Sequence, residues 1–501
     1  MSQPVITVVG GGATAGLLTY NLANLAAAPV VVAVVNPSQP DNFFRGVAYQ
    51  SVGDLNVPAA NMSWSPEAPK ALVESEAAQR PGPKDFVDRL VWGSALQEAV
   101  RDAVQNAVEG FDLQRVSGTA TDYRREDRSH VVSIQGLDGH SHELRSAHVV
   151  LATGNPLPAT LPGTEALGDL YFSNPWFGVQ DYFASITQPT NIGVVGIGLS
   201  FEDLVKVAAS NPNIHLVGFS RDGRRPTSHL LPGDDPQETA YQASSDFKKF
   251  LDRLSVWEPT QKAPELMEVF LLIRQEVKRA EKSGSNWRRV IDALRPISPA
   301  YFFSLSVEDK NRWYSLFDAL WKVHRHRSPN ASILESVGER VQTHKTEGLS
   351  FERDGDQVLV RWREQNQSQE LHVDRLINAT GPDLRLDRTQ NKILQVLRQQ
   401  GVIAPGPLGI GVNVDYDRRL LGADGRPQEG WSVLGPFIGG AFYETNAIPD
   451  IRWQALSAAF EILHSLNVPT QLTPQQAYEI LRLQGITPHP TWLRRLKRRA
   501  L

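Results

Sequence analysis

Two glycine-rich turns hold the residues whose spacing could do chemistry. The first, Gly10-Gly-Gly12-Ala13-Thr14-Ala15, follows the β-branched run Val5–Val9. It precedes a helical pattern from about Thr14 to Ala28 and a second apolar run, Val30–Val35. A GxGxxA turn in a strand–helix–strand unit offers backbone N–H groups and the positive end of a helix to a diphosphate. Gly10 permits the tight turn, Gly12 lets a pyrophosphate approach the backbone, and Ala15 keeps helix and strand close. Asn36 ends the second strand where such folds usually place an acid for the ribose hydroxyls; its amide oxygen can accept the same bond without the charge.

The second turn, Gly196-Ile-Gly198-Leu199-Ser200, lies between the apolar runs Asn191–Val195 and Ile214–Phe219. Its third glycine position is Phe201, bulky enough to obstruct a nucleotide. Ser220 and Arg221 stand about twenty residues after Gly198, where an NAD site would carry an acid, and Arg224 and Arg225 follow. A hydroxyl among guanidinium groups suits a 2′-phosphate, which favours NADPH over NADH. A solvated basic loop is the alternative reading. Two paired-strand patterns end in Ala152-Thr153-Gly154 and Ala379-Thr380-Gly381, small hydroxyl-bearing turns that can pass beside a nucleotide. Two such units predict one resident and one exchanging dinucleotide.

The elements that must position these turns read as an α/β chain of two Rossmann-like dinucleotide-binding domains. The expected divisions are 1–190, 191–345 and 346–501, the first and last forming one domain. Between about 231 and 324 the pattern becomes helical. Phe247, Phe250, Leu251 and Leu254 share one stripe; Leu266, Val269, Phe270, Ile273 and Val277 a second; Trp287, Val290, Ile291 and Leu294 a third. Trp313, Leu316, Phe317, Leu320 and Trp321 make a fourth, after a capping pair, Ser306 and Asp309. This insertion is the expected place for substrate selectivity. Arg295, His324 and Arg325 are its candidate substrate residues. With Arg327, the arginines could hold an anionic substrate or a phosphate, or brace the insertion through salt bridges.

Composition excludes much. Among 501 residues there is no cysteine, which removes disulfide exchange, thiolate nucleophiles and iron–sulfur ligation. A net charge of −4 gives no electrostatic case for nucleic acid. His324 and His326 have no adjacent carboxylate, so no metal site is expected. Residues 1–40 carry no charged side chain, yet Asn21, Asn24 and Pro29 argue against a membrane helix. No basic leader region precedes them, and the expected location is the cytoplasm. The basic stretch Trp492-Leu-Arg-Arg-Leu-Lys-Arg-Arg499 reads as a solvated helix end or a ligand for an acidic surface of the same chain.

Further stretches, taken in order, resemble the bacterial FAD/NAD(P)-binding flavoproteins that carry GxAY…LNVPAxxMS after the first unit. Here these are Gly46-Val-Ala48-Tyr49, Leu55-Asn56-Val57-Pro-Ala59 and Met62-Ser63. Val195–Leu199 with Asp203, Trp287-Arg288 with Asp292, Leu294-Arg-Pro296 and Val323-His-Arg-His-Arg327 continue the match. Asn378–Pro382 and Glu444-Thr445-Asn446 with Ile448-Pro449 complete it. The resemblance implies FAD on the first domain and NADPH on the second. Leu55 to Ser63 would line the flavin, and Gly435 with Glu444 to Ile448 would approach its other end. More distantly the layout is similar to flavin-dependent N-hydroxylating monooxygenases, which have a stretch like Asp374…Ala379-Thr-Gly381, although here Asn378 replaces a hydrophobic residue and Pro382 a tyrosine. The expectation is a C4a-hydroperoxyflavin, formed from molecular oxygen, that hydroxylates a small substrate such as an amine or amino acid. A non-oxygenating NADPH-dependent reductase and a flavin-binding protein without turnover are the alternatives. No catalytic side chain is singled out, because a flavin carries the chemistry itself.

Overall fold

The computed structural model describes residues 3–46, 53–229, 241–255, 264–329, 333 and 336–483. Ala48, Tyr49, the basic stretch after residue 491 and parts of the expected insertion lie outside the described residues.

Consecutive Val and Ile residues that are buried on both faces make parallel strands. The first sheet is built around β1 (Val5–Val9), β2 (Val30–Asn36) and β6 (His148–Leu151), with β1 central and parallel to both others. Parallel pairing continues to β3 (Phe111–Glu126) on one side and β16 (Pro427–Val433) on the other. The second half of β3 turns away to pair antiparallel with β4 (Ser129–Gly136), which pairs with β5 (Ser141–Ser146). Ala147 separates β5 from β6, so what reads in the sequence as one strand serves two neighbours. β15 (Arg419–Leu421) closes the opposite edge.

Helix α1 (Ala13–Leu25) explains the uncharged N-terminal stretch. It lies against helix α2 (Arg89–Gln105) and helix α4 (Ile448–Ser465) as well as the sheet, and is buried along almost its whole length. Leu17, Leu18 and Leu22 join Ile451, Leu456 and Phe460 in one core, each leucine contributing about 2 kcal/mol of apolar burial. Even Asn21 is buried, bonded to the Leu17 carbonyl and to Ser65 Oγ. The helix ends earlier than the pattern predicts because Ala27 N–H turns to the Pro469 carbonyl, and Gln471 N–H to that of Leu25.

The second sheet is wholly parallel, in the order β10 (Val341–Lys345), β9 (Ile214–Ser220), β8 (Thr190–Val195), β14 (Arg375–Asn378) and β7 (Tyr171–Phe172). Helix α3 (Leu199–Ala209) follows β8. The antiparallel meander β11 (Glu347–Asp354), β12 (Gln357–Glu364) and β13 (Gln367–Val373) packs on it through Val358, Val360, Val373 and Phe219. The expected divisions at 190 and 346 therefore cut through this sheet. Strands 171–172 and 375–378, assigned by the sequence to the first domain, pair with β8 or with each other in the second.

The insertion is helical: Ser245–Ser255, Leu266–Lys282, Trp287–Ala293, Ser298–Ser304, Val307–Arg312 and Asp318–Arg325. Ser306 caps the Val307 helix by accepting from Asp309 N–H. The fourth stripe is the exception, because residues Trp313–Phe317 form a π-turn. The extra residue per turn keeps Phe317 inside and rotates Leu316 out, leaving it 64% exposed.

Candidate dinucleotide sites and the segment between them

Each glycine turn is locked by the same backbone arrangement. Gly10 has φ +106°, its N–H donates to the Val35 carbonyl, and a Cβ there would sit 2.2 Å from the Ala152 carbonyl oxygen. Gly196 has φ +100°, donates to the Phe219 carbonyl, and would put a Cβ 2.4 Å from the Ala379 oxygen. Both Ala-Thr-Gly turns thus press their first carbonyl onto the first glycine of a cradle, so only glycine fits at either place. Thr153-Gly154 and Thr380-Gly381 continue past the cradles; neither glycine has a neighbour within 4 Å of its Cβ position. Asn378 orients the second copy, accepting from Thr380 N–H and Oγ1 while donating to the Ala159 carbonyl and Tyr171 hydroxyl.

The first cradle is enclosed. Gly12 caps α1 without a side chain, and the first turn of the helix, which begins with Ala13 and Thr14, contains no acid. Its N–H groups and dipole therefore keep their positive potential. Phe44 N–H reaches the Gly11 carbonyl, bringing Gly46 over Gly12. Gly435, at φ +82°, arrives from β16 with its Cβ position 3.2 Å from Thr14 Oγ1, and its N–H donates to Gln454. Asn36 does more than the sequence indicates: Oδ1 accepts from Gly11 N–H at 3.1 Å, and Nδ2 donates to Ser38 Oγ. A second lone pair on that oxygen remains for a ribose hydroxyl.

At the second cradle, no described residue lies within 4 Å of the Cβ position of Gly198. Leu199 and Ser200 begin α3 half-buried. Phe201 lies fully buried beneath β9, where a Cβ on Gly218 would come within 3.0 Å of its ring. The obstruction expected from this side chain does not arise: Gly218 on the strand supplies the closeness that a small third residue supplies in the first unit. Glu202, in the first turn of α3, and Asp203, the residue after it, are both buried. Glu202 takes a two-pronged bond from Arg225 at 2.9 and 3.0 Å, which removes Arg225 from the expected phosphate set. Ser220 Oγ accepts from Gly223 N–H and donates to Asp222, shaping the loop. Arg221 and Arg224 are exposed, and neither side chain has a carboxylate partner among the described residues.

The segment from Gly53 to Ser63 is held from both domains. Arg89 donates to Asp203 at 2.8 Å, and Lys206 pairs with Asp54 at 2.7 Å, two ion pairs of opposite polarity across one contact. Burial raises the Asp203 pKa to about 6 despite Arg89. The Asn56 carbonyl bonds His229 Nε2 at 2.9 Å. Val57 and Met62 are buried, Trp92 Nε1 donates to the Met62 carbonyl, and Arg452 donates to Ser63 Oγ at 2.6 Å.

The insertion meets the 444–452 segment through buried charge. Glu444 accepts from Ser298 Oγ at 2.8 Å and Trp321 Nε1 at 3.0 Å, with Arg325 Nε at 3.4 Å and His326 beyond. Burial opposes its charge, but Arg325, His326 and Ser298 outweigh that and hold its pKa below the usual carboxylate range. Burial raises that of Asp450, although Arg295 lies 3.6 Å away. Arg295 Nη2 and Arg325 Nε are buried and face Asp450 and Glu444 as ion-pair partners, without hydrogen-bond geometry. Arg327 pairs with Asp292, so it braces the insertion. His324 bonds the Leu320 carbonyl and lies edge-on to Trp287. Just before Glu444, Tyr443 has φ +61° and ψ −67°, a strained γ-turn closed by Glu444 N–H to the Phe442 carbonyl. Asn446 is exposed, while Ile448 is buried at the start of α4. Arg89, Asp203, Asp450 and Arg452 were not singled out as site residues by sequence reasoning. Asp203 appears only within the resemblance, and the Ser63–Arg452 contact spans 389 positions without any local signal.

Residues 7–156 match the model of a family described as FAD-NAD(P)-binding. A comparison with curated proteins gives no match. Among solved structures, the chain is similar to the ornithine N-hydroxylase of Kutzneria sp. 744, at 12% identity and a TM-score of 0.60, covering 92% of this chain and 99% of that one. It is also similar to the FAD-bound cadaverine monooxygenase of Erwinia amylovora, at 12% identity and TM-score 0.61, covering 93% and 95%. The ornithine hydroxylase of Pseudomonas aeruginosa gives 13% identity and TM-score 0.58, over 93% and 100%. No helix among the described residues is long and apolar enough to cross a membrane. The chain has the two-dinucleotide-domain fold of these flavoenzymes.

Proposed function

We propose that this chain is an FAD-dependent, NADPH-using monooxygenase acting on a small substrate. The carrying observation is the pair of cradles built alike and joined through the Gly53–Ser63 segment, which each domain grips. The residues fit both nucleotides. The enclosed first cradle, with its uncapped helix and no acid in the first turn, suits a resident FAD diphosphate. The second cradle, with Arg221 and Arg224 exposed nearby and without a carboxylate partner among the described residues, suits an exchanging NADPH and its 2′-phosphate. Bound there, the flavin supplies the redox chemistry that no side chain here can perform, taking electrons from NADPH and passing them to molecular oxygen.

The chain's own residues position and seal. Arg89 and Asp203 with Asp54 and Lys206 fix the register of the two domains. The insertion closes on the 444–452 segment through Glu444 and excludes water from that side. Arg295 and Arg325 spend their buried charge on Asp450 and Glu444, so they brace the contact between the insertion and the 444–452 segment. Similarity in fold to ornithine and cadaverine hydroxylases supports an amine as the oxidised group.

The test is NADPH oxidation by the purified yellow protein against a panel of amines and amino acids, with mass spectrometry and isotopically labelled oxygen. A hydroxylated product carrying the label is expected. Turnover that continues unchanged without oxygen, through another acceptor, would establish the reductase reading instead.

A further inference from the structure

A groove on the outer face of the first domain has no part in the chemistry above. It has a volume of about 490 Å³ and lies between α1 and α2, beside the short helix Ala71–Glu74. Its floor is Trp64 and a row of alanines, its walls include Tyr20 and Asn24, and its lining carries Glu76, Glu98 and Asp102 but no cation. Glu67, close enough to raise the Tyr20 pKa, is itself shifted upward by burial. Among the described residues, the lining acids form ion pairs with exposed arginines outside the groove, Arg80 and Arg101. Such exposed pairs are worth at most about 1 kcal/mol and exchange readily.

We propose that the basic stretch Trp492–Arg499 of this same chain docks in that groove. The stretch offers five cations, Arg494, Arg495, Lys497, Arg498 and Arg499, against the three lining carboxylates. Its apolar residues Trp492, Leu493 and Leu496 recur at helical spacing and match an apolar floor. Chain continuity favours this occupant. Helix α5 (Pro474–Leu483) packs Ala477 into the core that contains α1, and residues 469–471 are hydrogen-bonded to the end of α1, two residues past the groove wall at Asn24. The eight residues 484–491 span up to about 28 Å when extended. Occupancy would bear on the interior, because Trp64 packs 6.0 Å from Trp92, whose Nε1 holds the Met62 carbonyl.

The absence of native cysteine makes cross-linking clean. In the full-length protein, Ala99→Cys with Ala500→Cys should be joined by a short bis-maleimide at least about tenfold faster than Gly139→Cys with Ala500→Cys, the control on a distant surface turn. The rate should be independent of protein concentration. Adding Glu98→Lys and Asp102→Lys should cut it about tenfold, and adding Arg494→Glu and Arg495→Glu to that variant should restore it, which a folding defect would not allow. A rate equal to the control, or a rate that rises with protein concentration and so marks a second copy as the occupant, overturns the proposal. So does flotation with phosphatidylserine vesicles that is indifferent to the groove substitutions and abolishes the cross-link.

Discussion

Gly10 and Gly196 hold the same place in two copies of one turn, each fixed by a carbonyl from an Ala-Thr-Gly bend. The copies part company at the helix that follows. α1 opens without an acid and is approached by Gly46 and Gly435; α3 has Glu202 in its first turn with Asp203 next, and no described residue lies within 4 Å of a Cβ at Gly198. The carboxylates of α3 are paired with Arg225 and Arg89, so that helix end carries paired charge where α1 keeps bare N–H groups. One backbone design thus gives a turn with Gly46 and Gly435 close to it and a turn with no described residue near Gly198 and two exposed arginines in the loop after β9.

The comparison breaks most visibly at the glycines themselves. Gly10→Ala should leave the protein colourless, with FAD affinity down about 100-fold or more, since the strain is on the order of 3 kcal/mol. Absorbance of the purified variant checks this. Gly196→Ala should stay yellow yet lose about 100-fold in NADPH affinity, read from anaerobic flavin bleaching. If both variants lose colour, the two cradles do not have separate ligands.

Acid probes the buried histidines. His130 and His148 are buried in the first domain, bonded to Tyr123 and Ser432, and burial lowers their pKa values to about 4 and about 3. A histidine whose folded pKa lies below its unfolded value of 6.5 gives stability that is present at neutral pH and lost as pH falls toward the folded value. Each should cost the first domain about 3 kcal/mol by pH 4. Denaturant midpoints at pH 7 and pH 5, followed by flavin release, should show this loss, and His130→Phe should flatten the slope. Smallest is the effect at the rim: Arg221→Ala or Arg224→Ala should weaken NADPH about tenfold each, the worth of one charge-assisted hydrogen bond, and leave NADH unchanged. Saturation kinetics with the two nucleotides distinguishes these.

The turns were legible because glycine at φ near +100° leaves a mark in sequence that no other residue can mimic. The strand boundaries were legible from Val and Ile runs, and the insertion from its helical stripes. Domain membership was not: whether strand 375–378 belongs to one sheet or the other depends on which neighbour it pairs with, and its residues are apolar either way. The π-turn at Trp313–Phe317 defeated the stripe because periodicity assumes a constant turn. The charge contacts Arg89–Asp203, Arg295–Asp450 and Ser63–Arg452 join distant stretches, so nothing local announces them. They nevertheless determine how the domains and the insertion meet.

The central claim is that electrons pass from a nucleotide on the Gly196 cradle to a flavin on the Gly10 cradle. Anaerobic titration of the FAD-loaded protein with NADPH tests it most directly. Stoichiometric bleaching of the flavin absorbance, absent in Gly196→Ala, is the predicted result. A protein that takes up no FAD on reconstitution, or holds it and is never bleached by NADPH, would contradict the account.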